Sequence, residues 1–339
     1  MNQYTTLRDV AKMAGTTVAT ASYVLNKKAG RYISEKTKKS VLDAAHKLDY
    51  IKCGRASALK GKSSRLVAIL VPQFENQFFT RIIAGAGRVF KEHGYDMVIC
   101  DTHDIPEQEH GIIRRMLQQR IDGMLLIPTD KGIENTSALR RLGVKLVALD
   151  RPMGEVGVCS VASGNYRAGF DGASHLMEKG HSNIAYIGWK SGIADLDKRR
   201  QAVFDAAKKF GLTDENIVVA EGDFSEKEGY RLTDEVLNSR PDVSAFFYGF
   251  NVQALGGIKC LKDRNRAIPR QVSVILIGSP EWAKTGNNNF THIDLGEHIL
   301  GEEGAGLLME MLLDREKQVD KQITCGCSLV EGTSVGVWT

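Results

Sequence analysis

Residues 5–26, TTLRDVAKMAGTTVATASYVLN, carry the pattern that most restricts the fold of this chain, because they predict two short helices joined by a tight turn. Thr6 can cap the first helix and Thr17 the second, since an N-cap oxygen accepts a hydrogen bond from the open N–H groups of the first turn. Gly15 lies between them, where the turn requires a positive φ. The pattern predicts a helix-turn-helix, whose second helix can present its first turns to base edges in a DNA groove.

The charge of the chain is concentrated in the same region. Residues 1–65 hold fourteen Lys and Arg but four Asp and Glu, a net charge of +10. The whole chain of 339 residues carries +4, so residues 66–339 carry −6. A basic N-terminal segment on a mildly acidic body indicates a polyanionic partner for that segment alone. Together with the helix-turn-helix pattern, the charge predicts binding to double-stranded DNA.

Beyond residue 65, short apolar runs alternate with helical stretches, which is typical of buried parallel strands joined by helices. The first series has predicted strands at 66–71, 95–100, 123–127 and 145–149, and the second has them at 184–187, 217–220, 245–248 and 272–277. Two such series predict two doubly wound α/β lobes, with ligands bound at the carboxyl ends of the strands.

Motifs that would indicate other functions do not occur in the sequence. No run of about 18 apolar residues could span a membrane and no export signal is visible, so we expect a cytoplasmic protein. The six cysteines are scattered, and no Cys or His spacing completes a metal site. Phosphate-binding, dinucleotide-binding, nucleophile-elbow and zinc-protease motifs are missing. The sequence therefore predicts neither an enzyme nor a cofactor.

The N-terminal pattern is more specific than a general helix-turn-helix. The motif D-V-A-x-x-A-G-V-S-x-x-T-V-S-x-V-L-N is matched at Asp9, Val10, Ala11, Ala14, Gly15, Thr17, Thr20, Ser22, Val24, Leu25 and Asn26. In the body, L-x-D-R-P is matched at Leu149, Asp150, Arg151 and Pro152, and D-N-x-x-A-G at Asn165, Tyr166, Ala168 and Gly169. With these motifs, nearly the whole chain resembles the lactose/galactose repressor (LacI/GalR) family of bacterial transcription regulators.

The resemblance implies an N-terminal all-α helix-turn-helix headpiece followed by a two-lobed, doubly wound α/β domain of the periplasmic-binding-protein type. The implied boundaries are 1–50 for the DNA-binding headpiece, 51–64 for a hinge or linker, and 65–339 for the domain that binds an effector and forms a dimer. Because the family chain crosses between its lobes three times, lobe 1 is expected at about 65–161 plus 291–325, and lobe 2 at about 162–290.

The resemblance also implies a set of DNA-contacting residues. In the headpiece they are Thr6, Thr17, Val18, Ala19, Thr20, Tyr23, Asn26, Tyr32, Ser34 and Thr37. Residues 17–19 and 23 are expected to read the major groove, where apolar side chains can contact thymine methyl groups. The others are expected to fix the headpiece on the sugar-phosphate backbone.

The hinge both matches the family and departs from it. Ala56, Leu59 and Lys60 fall at the positions of a hinge helix, in which the leucine is a wedge that kinks the minor groove. The departures are Lys52, Cys53, Gly54 and Ser57. Since glycine in a helix costs about 1 kcal/mol relative to alanine, this hinge is expected to be harder to order.

Effector-binding residues are implied in the cleft between the lobes. They are Phe74, Phe78, Asp150, Asn165, Arg200, Phe224, Phe250 and Asn251. Arg200 matches the effector-binding arginine of the family, and Phe224 matches its aromatic wall. Three positions that often carry Asp hold Asn165, Asn251 and Gly278, which argues against a sugar held by paired carboxylate–hydroxyl bonds. The effector is left open between a sugar, a phosphorylated metabolite and a nucleobase-like compound, and between inducer and corepressor.

These observations predict a transcription regulator, most simply a repressor, that binds a near-palindromic operator as a homodimer under the control of a small-molecule effector. One alternative is a regulator of the same fold that responds to a protein co-regulator or has a vestigial cleft. Another is a solute-binding protein that serves a transporter, which the body alone would permit. The headpiece and the missing export signal argue against the solute-binding protein.

Overall fold

The computed structural model describes residues 5–26, 32–51, 63–154, 158–284, 289–314 and 319–338. The chain divides into two compact units, residues 1–64 and 65–339, each with its own apolar core. No helix in these described ranges is long and apolar enough to cross a membrane.

The N-terminal unit contains three helices in its described residues: α1 (Leu7–Met13), α2 (Val18–Leu25) and α3 (Glu35–Lys47). Each begins at a hydroxyl cap, and the caps of α1 and α2 are the predicted ones. Thr6 forms a capping box with Asp9, Thr17 Oγ1 accepts from the Thr20 N–H at 3.1 Å, and the Ser34 hydroxyl caps α3. The helices enclose a small core of Val10, Ala11, Ala21, Val41 and Ala44. This confirms the predicted helix-turn-helix.

The second unit is built from strands and helices in alternation. Its strands are β1 (Leu66–Val71), β2 (Asp96–Asp101), β3 (Gly123–Leu126), β4 (Lys145–Asp150), β5 (Cys159–Ala162), β6 (Ile184–Trp189), β7 (Ile217–Gly222), β8 (Ala245–Tyr248), β9 (Ser273–Ile277), β10 (Thr291–Asp294), β11 (Gln322–Thr324) and β12 (Ser328–Val330). Its helices are α4 (Gln77–Glu92), α5 (Pro106–Gln118), α6 (Gly132–Arg141), α7 (Asn165–Glu178), α8 (Ala194–Lys209), α9 (Glu226–Ser239), α10 (Asn251–Asp263) and α11 (Glu297–Leu313).

The strands form two six-stranded sheets, one in each lobe. The lobe 1 sheet has the order β11-β5-β4-β3-β1-β2, and the lobe 2 sheet has the order β12-β10-β9-β8-β6-β7. Their neighbouring strands are parallel, apart from the antiparallel pair β10 and β12. The chain crosses between the sheets after β5, after β10 and after β11. The two doubly wound lobes are as predicted.

The boundary expected at residue 291 needs correction. Strand β10 pairs in parallel with β9 and therefore completes the lobe 2 sheet, so the return to lobe 1 begins after Asp294. The final segment also belongs to lobe 2, because β12 pairs with β10 and Ser334 accepts a backbone hydrogen bond from Val274 at 2.9 Å. Strand β10 (Thr291–Asp294) has a single aliphatic residue and β12 has three residues, so neither forms the apolar run that identified the other strands in the sequence.

Lobe 1 depends on a close approach between α4 and α11. A Cβ added at Gly85 would lie 2.2 Å from the carbonyl oxygen of His298, and one added at Gly301 would lie 2.1 Å from that of Ile82. Leu300 and Leu308 of α11 are fully buried in the same core. Backbone contact between the helices therefore requires glycine at both positions.

We expect Gly301→Ala to lower the free energy of unfolding by about 1–3 kcal/mol, because the methyl group forces the helices apart. Gly306, on the same helix, is the matched control, since no atom lies within 4 Å of its added Cβ. Gly306→Ala should be neutral or stabilising by up to about 1 kcal/mol. Urea unfolding of both variants tests this, and equal midpoints would contradict the close packing.

Candidate functional site

The outer surface of α2 is one candidate site. Val18 is 43% exposed, and Thr17 and Ala19 are also exposed, while Ala21 is buried in the headpiece core. Tyr23 is half-buried on the same helix. The side chains expected to read base edges therefore lie near the N-terminal end of a helix whose other face is fixed by packing.

Several side chains expected to contact the DNA also form hydrogen bonds at the ends of the headpiece helices. The Thr20 hydroxyl lies 2.9 Å from that of Thr17, and Asn26 donates from Nδ2 to the carbonyl oxygen of Ser22 at 2.8 Å. The hydroxyls of Ser34 and Thr37 lie 2.9 Å apart, and Tyr32 is 94% exposed. Contacts of these residues with phosphates remain predictions. The hinge residues Ala56, Leu59 and Lys60, and the departures Lys52, Cys53, Gly54 and Ser57, lie outside the described residues.

The second candidate site is a cavity of about 460 Å³ between the two lobes, beside the carboxyl ends of several strands. Its lining includes the predicted residues Phe78, Asp150, Phe224, Phe250 and Asn251. It also includes residues that the sequence analysis did not assign to it: Pro72, Gln73, Glu75, Asn76, Phe79, His103, Asp104, Arg151, Trp189, Leu196, Arg199, Ile277, Gly278 and Leu295.

Three aromatic rings of lobe 2 form one wall of the cavity. Trp189 is the last residue of β6, and its ring lies 5.1 Å from that of Phe224 and 5.8 Å from that of Phe250, measured between centroids. The Phe224 and Phe250 rings are 5.6 Å apart and nearly perpendicular. Such a wall offers a flat apolar surface to a ring-shaped ligand.

A buried carboxylate and a buried guanidinium face this wall. Asp150 ends β4, is 5% exposed and has a φ of +62°, in the left-handed region. Arg199 lies on α8 and is 4% exposed, with its guanidinium carbon 4.5 Å from the centroid of the Phe250 ring. Burial raises the pKa of Asp150, and the positive charges of Arg199 and Arg151 oppose that rise. The two groups therefore stabilise each other's charge in a site of low polarity.

Both groups are also hydrogen-bonded to the first crossover between the lobes. Ser163 donates from Oγ to the Asp150 carboxylate at 2.8 Å. Arg199 donates from Nε to Asn165 Oδ1 at 2.7 Å and from Nη1 to the carbonyl oxygen of Gly249 at 2.7 Å. Among the described residues no acceptor contacts Arg199 Nη2, which leaves that nitrogen available to a ligand.

A second arginine lines the cavity but is already neutralised. Arg151 holds Asp104 in a bidentate pair, with N–O distances of 2.6 and 3.1 Å, and also donates to the carbonyl oxygen of Pro128 at 3.1 Å. Its guanidinium carbon lies 5.5 Å from the centroid of the Trp189 ring across the cleft. Arg151 therefore shapes the cavity and contacts an aromatic ring, while its positive charge is already offset by Asp104.

Three of the predicted effector residues do not line this cavity. Phe74 is 43% exposed, and Arg200 forms an ion pair with Glu221 of β7. Its neighbour Arg199 lines the cavity instead, because consecutive residues of a helix point about 100° apart. Asn165 is buried behind Arg199 and also donates to Asp195 Oδ2 at 2.7 Å, so it supports the guanidinium from outside the cavity.

Trp189 and Arg151 could have been found from the sequence. Trp189 lies two residues beyond the strand predicted at 184–187, and Arg151 belongs to the L-x-D-R-P motif that had supplied Asp150. Residues at and just beyond the carboxyl ends of parallel strands meet at one edge of the sheet. That rule selects both positions.

Replacing Arg199 with Met should lower the free energy of unfolding by about 3–5 kcal/mol at pH 7.5, because Asn165 Oδ1 and the Gly249 carbonyl lose a buried donor and Asp150 loses one of its two nearby cations. Arg200→Met is the matched control, and loss of its partly exposed pair should cost less than about 1 kcal/mol. The deficit of Arg199→Met should shrink at pH 5, since the raised pKa of Asp150 lets the folded variant take up a proton there. Chemical unfolding at both pH values tests this, and equal losses for the two variants would refute the assignment.

Comparisons with known proteins identify the family of both units of the chain. Residues 6–52 match the family model for bacterial regulatory proteins of the lacI family. Residues 64–331 match the model for periplasmic binding proteins and the sugar binding domain of the LacI family. The two matches together span the helix-turn-helix and both lobes.

Individual relatives have similar lengths. The chain is 27% identical over 323 residues to the HTH-type transcriptional repressor PurR of Vibrio vulnificus, covering 94% of each chain. It is 30% identical over 271 residues to the ribose operon repressor of Halalkalibacterium halodurans, covering 80% of this chain and 79% of that one. The lac repressor dimer bound to operator and the anti-inducer ONPF has the same fold, with a TM-score of 0.83 at 22% identity and coverage of 98% and 100%. The chain therefore belongs to the LacI family of bacterial regulatory proteins, which are DNA-binding transcription regulators and not enzymes.

Proposed function

We propose that this protein represses transcription by binding a near-palindromic operator as a homodimer, and that a small molecule in the interlobe cavity controls its affinity for that operator. The observation that carries the proposal is a formed cavity with a buried charged pair on the same chain as the helix-turn-helix. The two-fold symmetry of a dimer matches the symmetry of a palindromic site. The lac repressor of the same fold is itself a dimer on its operator.

The cavity favours an uncharged ring compound as its ligand. Its volume of about 460 Å³ falls in the usual range for small-molecule sites. The Trp189–Phe224–Phe250 wall suits a flat or apolar ring face, and Arg199 Nη2 supplies a donor at the edge of that ring. The described lining holds three carboxylates (Glu75, Asp104 and Asp150) and two guanidinium groups (Arg151 and Arg199), so it offers no excess positive charge to neutralise a phosphate. A phosphorylated metabolite, which the sequence left open, is therefore disfavoured against a sugar or a nucleobase-like compound.

Selection of operators from random duplexes, repeated at fixed salt with ribose, cellobiose, guanosine and ribose 5-phosphate, tests both parts of the proposal. We expect a palindromic consensus whose affinity one uncharged compound shifts at least tenfold, about 1.4 kcal/mol of coupling. Arg199→Lys should abolish the shift because it removes the placed donor, and Arg200→Lys should preserve it. A shift by ribose 5-phosphate alone would contradict the ligand class. A consensus that none of these compounds shifts would favour a protein co-regulator or a vestigial cleft.

Tyr23→Ala is expected to relax base preference in the operator, because the variant loses a side chain placed to reach base edges. Lys60→Ala should weaken binding to all sequences to the same extent, because a lysine–phosphate contact carries no sequence information. Affinities of each variant for the selected operator and for a scrambled duplex distinguish the two effects. Equal losses on both duplexes for Tyr23→Ala would remove that residue from the base-reading set.

A further inference from the structure

The beginning of α4 in lobe 1 contacts lobe 2 directly, at the edge of the cavity. Arg81 donates from Nη1 to the carbonyl oxygen of Ser279 at 2.5 Å, and its Nη2 contacts the carboxylate of Glu281. The backbone N–H of Glu281 donates in turn to Gln77 Oε1 at 2.8 Å. A single turn of lobe 1 helix therefore binds both the main chain and a side chain of the segment that follows β9.

A reciprocal amide pair joins the lobes next to these contacts. Asn251 donates from Nδ2 to Asn76 Oδ1 at 3.1 Å, and Asn76 donates from Nδ2 to Asn251 Oδ1 at 3.4 Å. Asn76 caps α4 and Asn251 begins α10, and both line the cavity. Gly278, one residue before Ser279, lines it as well. The contacts thus lie along the rim of the cavity, where the two lobes would separate.

The two side chains of the Arg81–Glu281 ion pair differ in their exposure to solvent. The Arg81 side chain is 17% exposed and lies 3.9 Å from the carboxylate of Glu297, which is 4% exposed and begins α11 in lobe 1. The Glu281 side chain is 64% exposed. Arg81 therefore keeps a lobe 1 partner when the lobes separate, while Glu281 returns to water. A pair with one solvated partner is weak enough to break and form again.

We propose that Asn76, Gln77 and Arg81, with their lobe 2 partners Asn251, Ser279 and Glu281, form an interlobe latch that stabilises the closed arrangement of the two lobes. Arg81 is its positioning residue, because it fixes the segment 278–281 against α4. The strength of the latch then sets the balance between closed and open arrangements, and with it the entry and release of a ligand. This inference does not depend on the identity of the ligand or on the proposed repressor activity.

Hydrogen exchange of the full-length, ligand-free protein tests the latch. Glu281→Arg places two like charges together at the rim, and should speed exchange of the backbone amides in 76–79, 249–252 and 278–281 by about tenfold. Glu302→Arg is the matched control. It breaks the pair between Arg88 of α4 and Glu302 of α11 at 2.7 Å, which lies entirely within lobe 1. The control should leave the rim amides unchanged.

Exchange of the rim amides at the wild-type rate in Glu281→Arg, or an equal acceleration in Glu302→Arg, would overturn the latch. The amides of β1 and β8 serve as a check on folding, because both strands are fully buried. If the β1 and β8 amides also exchange faster in Glu281→Arg, the Glu281→Gln variant is the decisive test, because it removes the negative charge without adding a repulsive positive one. That variant must then accelerate the rim amides alone, and any other result contradicts the proposal.

Discussion

The fixing of two buried charged side chains, Asp150 and Arg199, at the centre of the cleft is the constraint on which the cavity depends. Asp150 lies at the end of a lobe 1 strand and Arg199 lies on a lobe 2 helix, and both are hydrogen-bonded to the first crossover through Ser163 and Asn165. A charge at this depth requires such partners, because its burial without them is costly. The crossover therefore connects the relative position of the lobes with the geometry of the site.

The same contacts make the cavity polar without giving it an excess of positive charge. Its aromatic wall is apolar, and Asp150 and Arg199 are already hydrogen-bonded to neighbouring groups. These hydrogen bonds reach Ser163 and Asn165, in the chain segment that joins the lobes. The cavity lining is therefore connected to the crossover by direct contacts, without a longer path through the core.

The alternation of apolar runs and helical stretches was sufficient to predict both lobes, because it follows directly from local periodicity. The caps Thr6 and Thr17 were predicted from local chemistry, because an N-cap hydroxyl bonds to the first turn of its own helix. The sequence did not predict that Arg199 rather than Arg200 lines the cavity, since adjacent residues of identical chemistry differ only in the direction that tertiary packing gives them. Strand β10 was missed because it contains a single aliphatic residue, and its place in lobe 2 is fixed by pairing with β9.

The placement of α11 has a consequence for how the chain folds during synthesis. Lobe 2 strands β6 to β10 are continuous in sequence, but lobe 1 lacks Leu300 and Leu308 of its core until α11 has been made. On the ribosome, the segments of lobe 1 that emerge early must wait with an uncovered apolar face while β6 to β10 of lobe 2 are made. During that interval the uncovered face of lobe 1 is the surface that a chaperone would protect.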